Sequence, residues 1–211
     1  MQPHNFDVDI VIPSSNQKVK INKDVIQVNQ TSIACTDVTA VKYGVSLIGK
    51  RKKPTNKSYS IEVQGKDGKT VSIKFDSKKV GELLEEDHTY YYIMTGLWHF
   101  VKKQLVNFFI EQLNEKQTLE VGAAKFNFEG FTMNYKTWFL GKTKTELVPW
   151  TSLNYHLDKG ILHIEDVNDT KKKVALSLHY DWNAVVLNTL MHFLWQDKRR
   201  EKLQKGEHIE P

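Results

Sequence analysis

The chain has 211 residues, which suits one large domain or two domains of about a hundred residues each. Hydrophobic residues make up 40% of it and aromatic residues 11%, so a wholly disordered protein is excluded. The net charge of +5 is a mild excess that a mixed, solvated surface explains, and the single cysteine, Cys35, excludes an internal disulfide or a cage of several cysteines around a metal.

Neither a targeting segment nor a membrane span is expected. The first residues lack the charged stretch and apolar run of a secretory signal. The most apolar helical pattern, at residues 90–113, carries Lys102 and Lys103 at its middle, which a relaxed membrane span would not. We therefore expect a cytoplasmic protein.

The first part of the chain predicts β-structure. Residues 1–19 are polar and weakly patterned, with one edge strand expected at Val8–Ile12 before Pro13. Gly65-Lys66-Asp67-Gly68 predicts a hairpin turn, because Asp-Gly accepts positive φ angles. Apolar runs and alternation predict strands at Val25–Val28, Ser32–Cys35, Val38–Ile48, Tyr59–Val63 and Val71–Phe75.

A long amphipathic helix follows, with Asp87 as its predicted N-cap. Lys102, Lys103 and Glu111 fall outside its apolar stripe, and Trp98 is expected to be a core contact. The residues of the stripe, at three-to-four spacing, are Tyr91, Met94, Leu97, Trp98, Val101, Leu105, Phe108 and Leu113.

The second half of the chain repeats this plan. Asp181 is the predicted cap of a final helix in which Phe193 is a core contact, and the residues after Lys202 are expected to fray. Strands are predicted at Lys125–Phe128, Phe131–Asn134, Thr137–Leu140, Glu146–Trp150, Ser152–Leu157, Ile161–Ile164 and Val174–Leu178.

The two predicted helices share a short motif. Leu97-Trp98-His99-Phe100-Val101 and Leu190-Met191-His192-Phe193-Leu194 have the same L-x-H-F core, at positions 97 and 190. A period of this length is too long for a solenoid repeat, so it indicates two small domains of one fold.

Strands followed by one amphipathic helix, twice over, resemble the pleckstrin-homology-like (PH-like) fold of small bacterial tandem proteins. The resemblance also rests on Cys35-Thr36-Asp37-Val38 and Trp150-Thr151-Ser152-Leu153, which each lead into a strand, and on Val41–Val45 ahead of a long loop. It covers residues 20–200, although the first half has no evident counterpart of the hairpin at Phe126–Asn134.

The resemblance implies an α+β, mainly antiparallel β fold. Its two PH-like halves would each be a curved sheet, or a partly open barrel, capped by a C-terminal helix. The expected segments are an N-terminal segment at 1–19, a first PH-like domain at 20–117, a second at 118–203 and a C-terminal tail at 204–211. The resemblance implies a binding or scaffolding module and names no ligand.

No motif of catalysis or of cofactor binding is complete. Gly44–Lys50 has the glycine and lysine spacing of a P-loop, but Arg51 stands where Ser or Thr must bind magnesium. The histidines lack metal-ligand spacing, and no Gly-x-Ser-x-Gly elbow marks a nucleophile. We therefore expect no enzymatic activity, no cofactor and no metal.

The best candidate site is a basic cluster in the predicted loop between two strands. Five cations lie within eight residues, and each gains about 1 kcal/mol near an anionic surface. The alternative is that the loop requires solvating charge and that lysines protect a sheet edge from pairing. The five residues are Lys50, Arg51, Lys52, Lys53 and Lys57.

Three classes of function stay open on this basis. The first is a non-catalytic interaction or scaffolding module for a protein or peptide. The second is an anion-binding module that uses residues 50–57 on a membrane surface; nucleic acid is less favoured, because no aromatic residues interleave with these cations to stack on bases. The third is an enzyme of unrecognised type.

Overall fold

A computed structural model of the chain describes residues 6–50, 53–81, 83–136, 143–196 and 198–211. The strands of the described residues form four antiparallel sheets, and helices are few. The predicted class, α+β and mainly antiparallel, is confirmed. The chain divides into two compact units, residues 1–105 and 106–211.

The first unit starts with a four-stranded meander of β1 (Val8–Ile12), β2 (Gln17–Ile21), β3 (Val25–Val28) and β4 (Thr31–Ala34). A 3₁₀ turn at Cys35–Asp37 leads from it into a three-stranded sheet. The strands of that sheet are β5 (Val38–Lys50), β6 (Lys53–Gly65) and β7 (Thr70–Ser77). Buried and exposed side chains alternate along β7, as they do in a strand with one face on the core.

A helical segment follows β7 and continues past residue 105, where the first unit ends. It consists of α1 (Glu85–Leu97), a π-helical turn (Trp98–Lys102) and α2 (Lys103–Asn114). Helix α1 contacts β1, β2 and β7, so it lies against strands of both sheets. Gly96 allows this close packing, because a Cβ at its position would lie 2.7 Å from Cγ2 of Val8.

The second unit has the same order of elements. A four-stranded sheet is followed by a 3₁₀ turn at Trp150–Ser152, a three-stranded sheet and helices α3 (Ala184–Gln196) and α4 (Arg199–Gln204). The strands are β8 (Leu119–Val121), β9 (Ala124–Phe126), β10 (Gly130–Lys136), β11 (Thr143–Pro149), β12 (Leu153–Asp158), β13 (Ile161–Asp166) and β14 (Asp169–Ser177).

Several predicted elements are confirmed. Val8–Ile12 is an edge strand, Val25–Val28 is a strand, and the turn after Gly65 joins two paired strands with Gly68 at φ +79°. Gln17–Ile21, in a stretch read as polar, is a strand whose Val19 and Ile21 are fully buried. The strand predicted at Thr137–Leu140 falls outside the described residues.

Both predicted helix caps are wrong. The first helix begins at Glu85, and Asp87 is its third residue, whose carboxylate accepts the N–H of Leu84 at 2.9 Å. The last long helix begins at Ala184, and the carboxylate of Asp181 accepts the N–H of Ser177 at 2.7 Å instead. Each aspartate therefore ties a helix entrance to the chain before it.

The predicted core contacts at Trp98 and Phe193 are also wrong. Trp98 is 44% exposed, because it lies two turns after the exposed Tyr91 on the same face of α1, whose buried residues are Ile93, Gly96 and Leu97. Phe193 is half-buried, and the guanidinium of Arg199 lies 3.7 Å from the centre of its ring.

The end of the chain is anchored to the second unit, against the expectation of fraying. Ile209 is fully buried. The side-chain amide of Asn114 donates to the carbonyl of Ile209 and accepts its N–H, both at 2.9 Å. The buried side chain of Ile209 and the two hydrogen bonds to its backbone therefore hold the C-terminal residues in place.

Candidate functional site

The longest hairpin of the described residues belongs to the first unit. Strands β5 and β6 have 13 residues each, whereas β12 and β13, at the corresponding place in the second unit, have six each. Strand β7 pairs with β6 only from Lys57 to Gln64. Residues 47–50 and 53–56 therefore lie at and beyond the end of the three-stranded sheet, and we call them the arm.

The arm carries apolar side chains into solvent. Val45, just before it, is 45% exposed, and Leu47 and Ile48 are 61% and 46% exposed. Val45 and Leu47 continue the alternating face of β5 that starts with the buried Val41. An isolated two-stranded hairpin is marginally stable in water, and these apolar residues contribute little buried area to it.

Two of the predicted cations lie at the end of the arm. Lys50 and Lys53 are paired residues of β5 and β6, and both side chains are exposed. Arg51 and Lys52, between them in the sequence, lie outside the described residues. Cations therefore stand next to the exposed apolar residues of the same hairpin.

Lys57 has a different environment. It lies at the base of the arm, where β6 pairs with β7, and its Nζ is 2.7 and 2.9 Å from the two carboxylate oxygens of Asp87. The exposed fractions of the two side chains are 14% and 17%. The predicted loop at 50–57 is thus corrected: from Lys53 onward these residues are part of β6, and the fifth cation is held by a partner 30 residues away.

Asp87 is the centre of this network. It also accepts the hydroxyl of the buried Tyr59 at 2.7 Å and the N–H of Leu84. Burial acts to raise the pKa of Asp87, but the hydrogen bonds from Lys57, Leu84 and Tyr59 outweigh it and hold that pKa below its ordinary value. Burial and the bond to Asp87 raise the pKa of Tyr59. The network fastens the arm's base to helix α1.

Individual members of the other basic runs contact neighbouring side chains. Lys172 forms ion pairs with Glu146 at 2.6 Å and Asp166 at 3.8 Å. Arg199 and Arg200 lie over the rings of Phe193 and Trp195. Exposed cations and exposed apolar residues also occur together elsewhere, as where Lys18 pairs with Val11. The arm has two adjacent exposed apolar residues, Leu47 and Ile48, just before a sequence of four cations.

The residues considered for chemistry from the sequence have structural environments. Cys35 is buried, its Sγ lies 3.2 Å from the carbonyl of Asn22, and burial followed by the nearby Asp24 raises its pKa to about 11. It is therefore a thiol at neutral pH. His99 stacks on Phe6 and His192 hydrogen-bonds with Gln196. Among the described residues, no three His, Cys, Asp or Glu side chains are grouped to hold a metal ion.

Sequence reasoning did not select the apolar residues of the arm. Val45, Leu47 and Ile48 were predicted only as part of the strand Val38–Ile48. The available signal was the run of four cations that follows them, because a buried strand seldom ends in such a cluster.

Comparisons with protein-family models, curated proteins and solved structures find no match to this chain. No helix among the described residues combines the length and the apolar character needed to cross a membrane.

Proposed function

We propose that this chain is a non-catalytic binding module of two PH-like halves. The repeated order of a four-stranded sheet, a 3₁₀ turn, a three-stranded sheet and a helix supports the PH-like assignment. The predicted junctions at Cys35–Asp37 and Trp150–Ser152 are the two 3₁₀ turns. By position in the four-stranded sheet, the paired strands β2 and β3 correspond to the hairpin at Phe126–Asn134, for which the sequence of the first half offered no counterpart.

The arm is the docking element in this proposal, and its partner is an anionic membrane surface. The observation that carries it is the joint presence of Leu47 and Ile48, both about half exposed, and of the exposed Lys50 and Lys53 on one hairpin. A bilayer accepts such a hairpin without a shaped pocket, because cations meet headgroups while apolar side chains enter the boundary with the acyl chains. A protein partner would need a groove and an acidic patch together.

The comparison within the molecule supports a binding role for the arm. The second unit has the same element order with a short hairpin, so the extra length in the first unit is not required by the fold. Lys57 contributes indirectly, because its ion pair with Asp87 holds the base of the arm.

The test measures sedimentation with vesicles of phosphatidylserine and phosphatidylcholine, against vesicles of phosphatidylcholine alone. The triple variant Arg51→Ser, Lys52→Ser, Lys53→Ser removes three cations, each worth about 1 kcal/mol, so we expect binding to fall by about a hundredfold. The double variant Leu47→Ser, Ile48→Ser should weaken binding without changing its salt dependence. Binding of the unmodified chain should decrease steeply with salt, since the Debye length is about 8 Å at physiological ionic strength.

A matched control removes the same charge elsewhere. Lys144, Lys171 and Lys173 are exposed residues of the second unit, and their joint replacement by serine should leave vesicle binding close to that of the parent. Equal losses in both triple variants would mean that net charge, and not the arm, governs binding. Failure of the unmodified chain to bind anionic vesicles at low salt would contradict the membrane proposal, and arm-dependent binding to an oligonucleotide or an acidic peptide would replace it.

A further inference from the structure

Lys102 has an environment that its place in the sequence does not suggest. It ends the π-helical turn and is half-buried, whereas the next residue, Lys103, is exposed. π-Helical turns are rare and are frequent at functional sites, because the wider turn moves side chains off the regular helical spacing. Here it brings a lysine, rather than an apolar residue, against the side of β5.

The amine of Lys102 is surrounded by aromatic groups. Its Nζ donates to the hydroxyl of Tyr43 at 2.7 Å. It also lies 5.4 Å from the centre of the Tyr43 ring and 5.1 Å from the centre of the Trp98 ring. No carboxylate of the described residues forms an ion pair with it, in contrast to Lys57.

We propose that Lys102 binds carbonyl compounds covalently: its amine forms an imine with an apolar or aromatic aldehyde. The amine is hydrogen-bonded to Tyr43 and lies beside the half-exposed ring of Trp98. The nitrogen lone pair attacks the carbonyl carbon, and the carbonyl electron pair moves to the oxygen. A proton passes from nitrogen to that oxygen, giving a carbinolamine. Loss of one water then forms the C=N bond, so no oxidant, metal or cofactor is required.

The surroundings make the amine available for this reaction. Burial lowers the pKa of Lys102 to about 8, so about half of it is uncharged at pH 8, against about 0.4% of a lysine with an ordinary pKa of 10.4. The titratable groups that face it are phenols: Tyr43, and Tyr90 behind Tyr43. Burial raises the pKa of both, so both remain neutral where the lysine titrates.

Trp98 and Tyr43 have different roles in this proposal. Trp98 is 44% exposed and its ring centre lies 5.1 Å from the amine, so a flat apolar group that packs on this side chain would be held near Lys102. The Tyr43 hydroxyl, at 2.7 Å from Nζ, is a positioning group that can pass the proton from nitrogen to oxygen. The proposal is independent of the arm and of membrane binding.

The experiment treats the full chain with limiting benzaldehyde and sodium cyanoborohydride, which reduces the imine to a stable benzylamine, and maps the labelled lysines by mass spectrometry. Lys103 is the internal control. At pH 8 we expect Lys102 to be labelled about tenfold faster than Lys103, with a half-maximal rate near pH 8. Tyr43→Phe should slow labelling of Lys102 severalfold while leaving Lys103 unchanged.

The main measurement is made on the unmodified protein, so a variant that fails to fold does not affect it. Equal labelling of Lys102 and Lys103, no labelling of Lys102, or a rate at Lys102 that keeps rising to pH 10 would overturn the proposal. Unchanged labelling of Lys102 in a folded Tyr43→Phe variant would also count against it. Circular dichroism of the variant establishes that it is folded.

Discussion

Replacing Trp150 with alanine is expected to lower the free energy of unfolding of the second unit by about 4 kcal/mol. Trp150 is fully buried at the start of the 3₁₀ turn between the two sheets of this unit. Its ring lies edge-on to Phe126 and Phe131, and its Nε1 donates to the carbonyl of Asn127 at 2.9 Å. Alanine would leave a large cavity and an acceptor without its donor. Urea unfolding followed by circular dichroism measures the loss.

Trp98→Ala is the control for this prediction. The same residue type is removed, but Trp98 is 44% exposed, so the expected loss is about 1 kcal/mol. Hydrogen exchange should place the effect of Trp150→Ala in peptides from residues 106–211. Similar losses for the two variants would mean that burial does not distinguish these tryptophans.

Strand positions could be predicted because their signal is local. Val71, Ile73 and Phe75 alternate with polar residues, and all three are buried on one face of β7. Gly68 takes the positive φ expected of the Asp-Gly turn. Each of these predictions depended on a few adjacent residues, and the packing of the folded protein is consistent with the local pattern.

Helix faces could not be predicted in the same way. The apolar stripe through Trp98 assumed regular α-helical spacing, but a π-helical turn spans Trp98–Lys102. Beyond the start of that turn the faces shift, and Lys102 at its end is half-buried. The exposure of Trp98 has an earlier origin, because Tyr91 on the same face of α1 is exposed too. No local pattern marks the turn, because where a helix widens depends on what packs against it.

The candidate site could be predicted only in part, because its environment depends on residues that are far apart in the sequence. The cations at residues 50–53 were found as a run, but the alternation at Val45 and Leu47 looks the same whether or not their face is covered. Val45 and Leu47 pair with Tyr59 and Lys57 inside the three-stranded sheet, yet both are exposed, so their burial depends on what packs on that face. The partner of Lys57, Asp87, is 30 residues away, so its assignment required the fold.

Asp87→Ala is expected to lower the free energy of unfolding of the first unit by about 3 kcal/mol. The change would leave the Lys57 ammonium half-buried without a counter-charge and remove the acceptor of the buried Tyr59 hydroxyl and of the Leu84 N–H. Asp87→Asn retains an oxygen acceptor and loses the charge, so its cost should be about half as large. A double-mutant cycle with Lys57→Met isolates the ion pair from the other two bonds.

The direction in which stability changes with pH follows from the pKa of Asp87 in the folded protein. The folded pKa of Asp87 lies below the unfolded value of about 3.9, so the ionised form binds its partners more strongly than the neutral form. Its contribution is complete above about pH 5 and is lost as the pH falls through 3.9 toward the folded pKa. The stability difference between the parent and Asp87→Asn should therefore be constant from pH 5 to 8 and shrink below pH 4. A difference that grows on acidification, or a parent-like Asp87→Ala, would show that Asp87 does not hold the base of the arm.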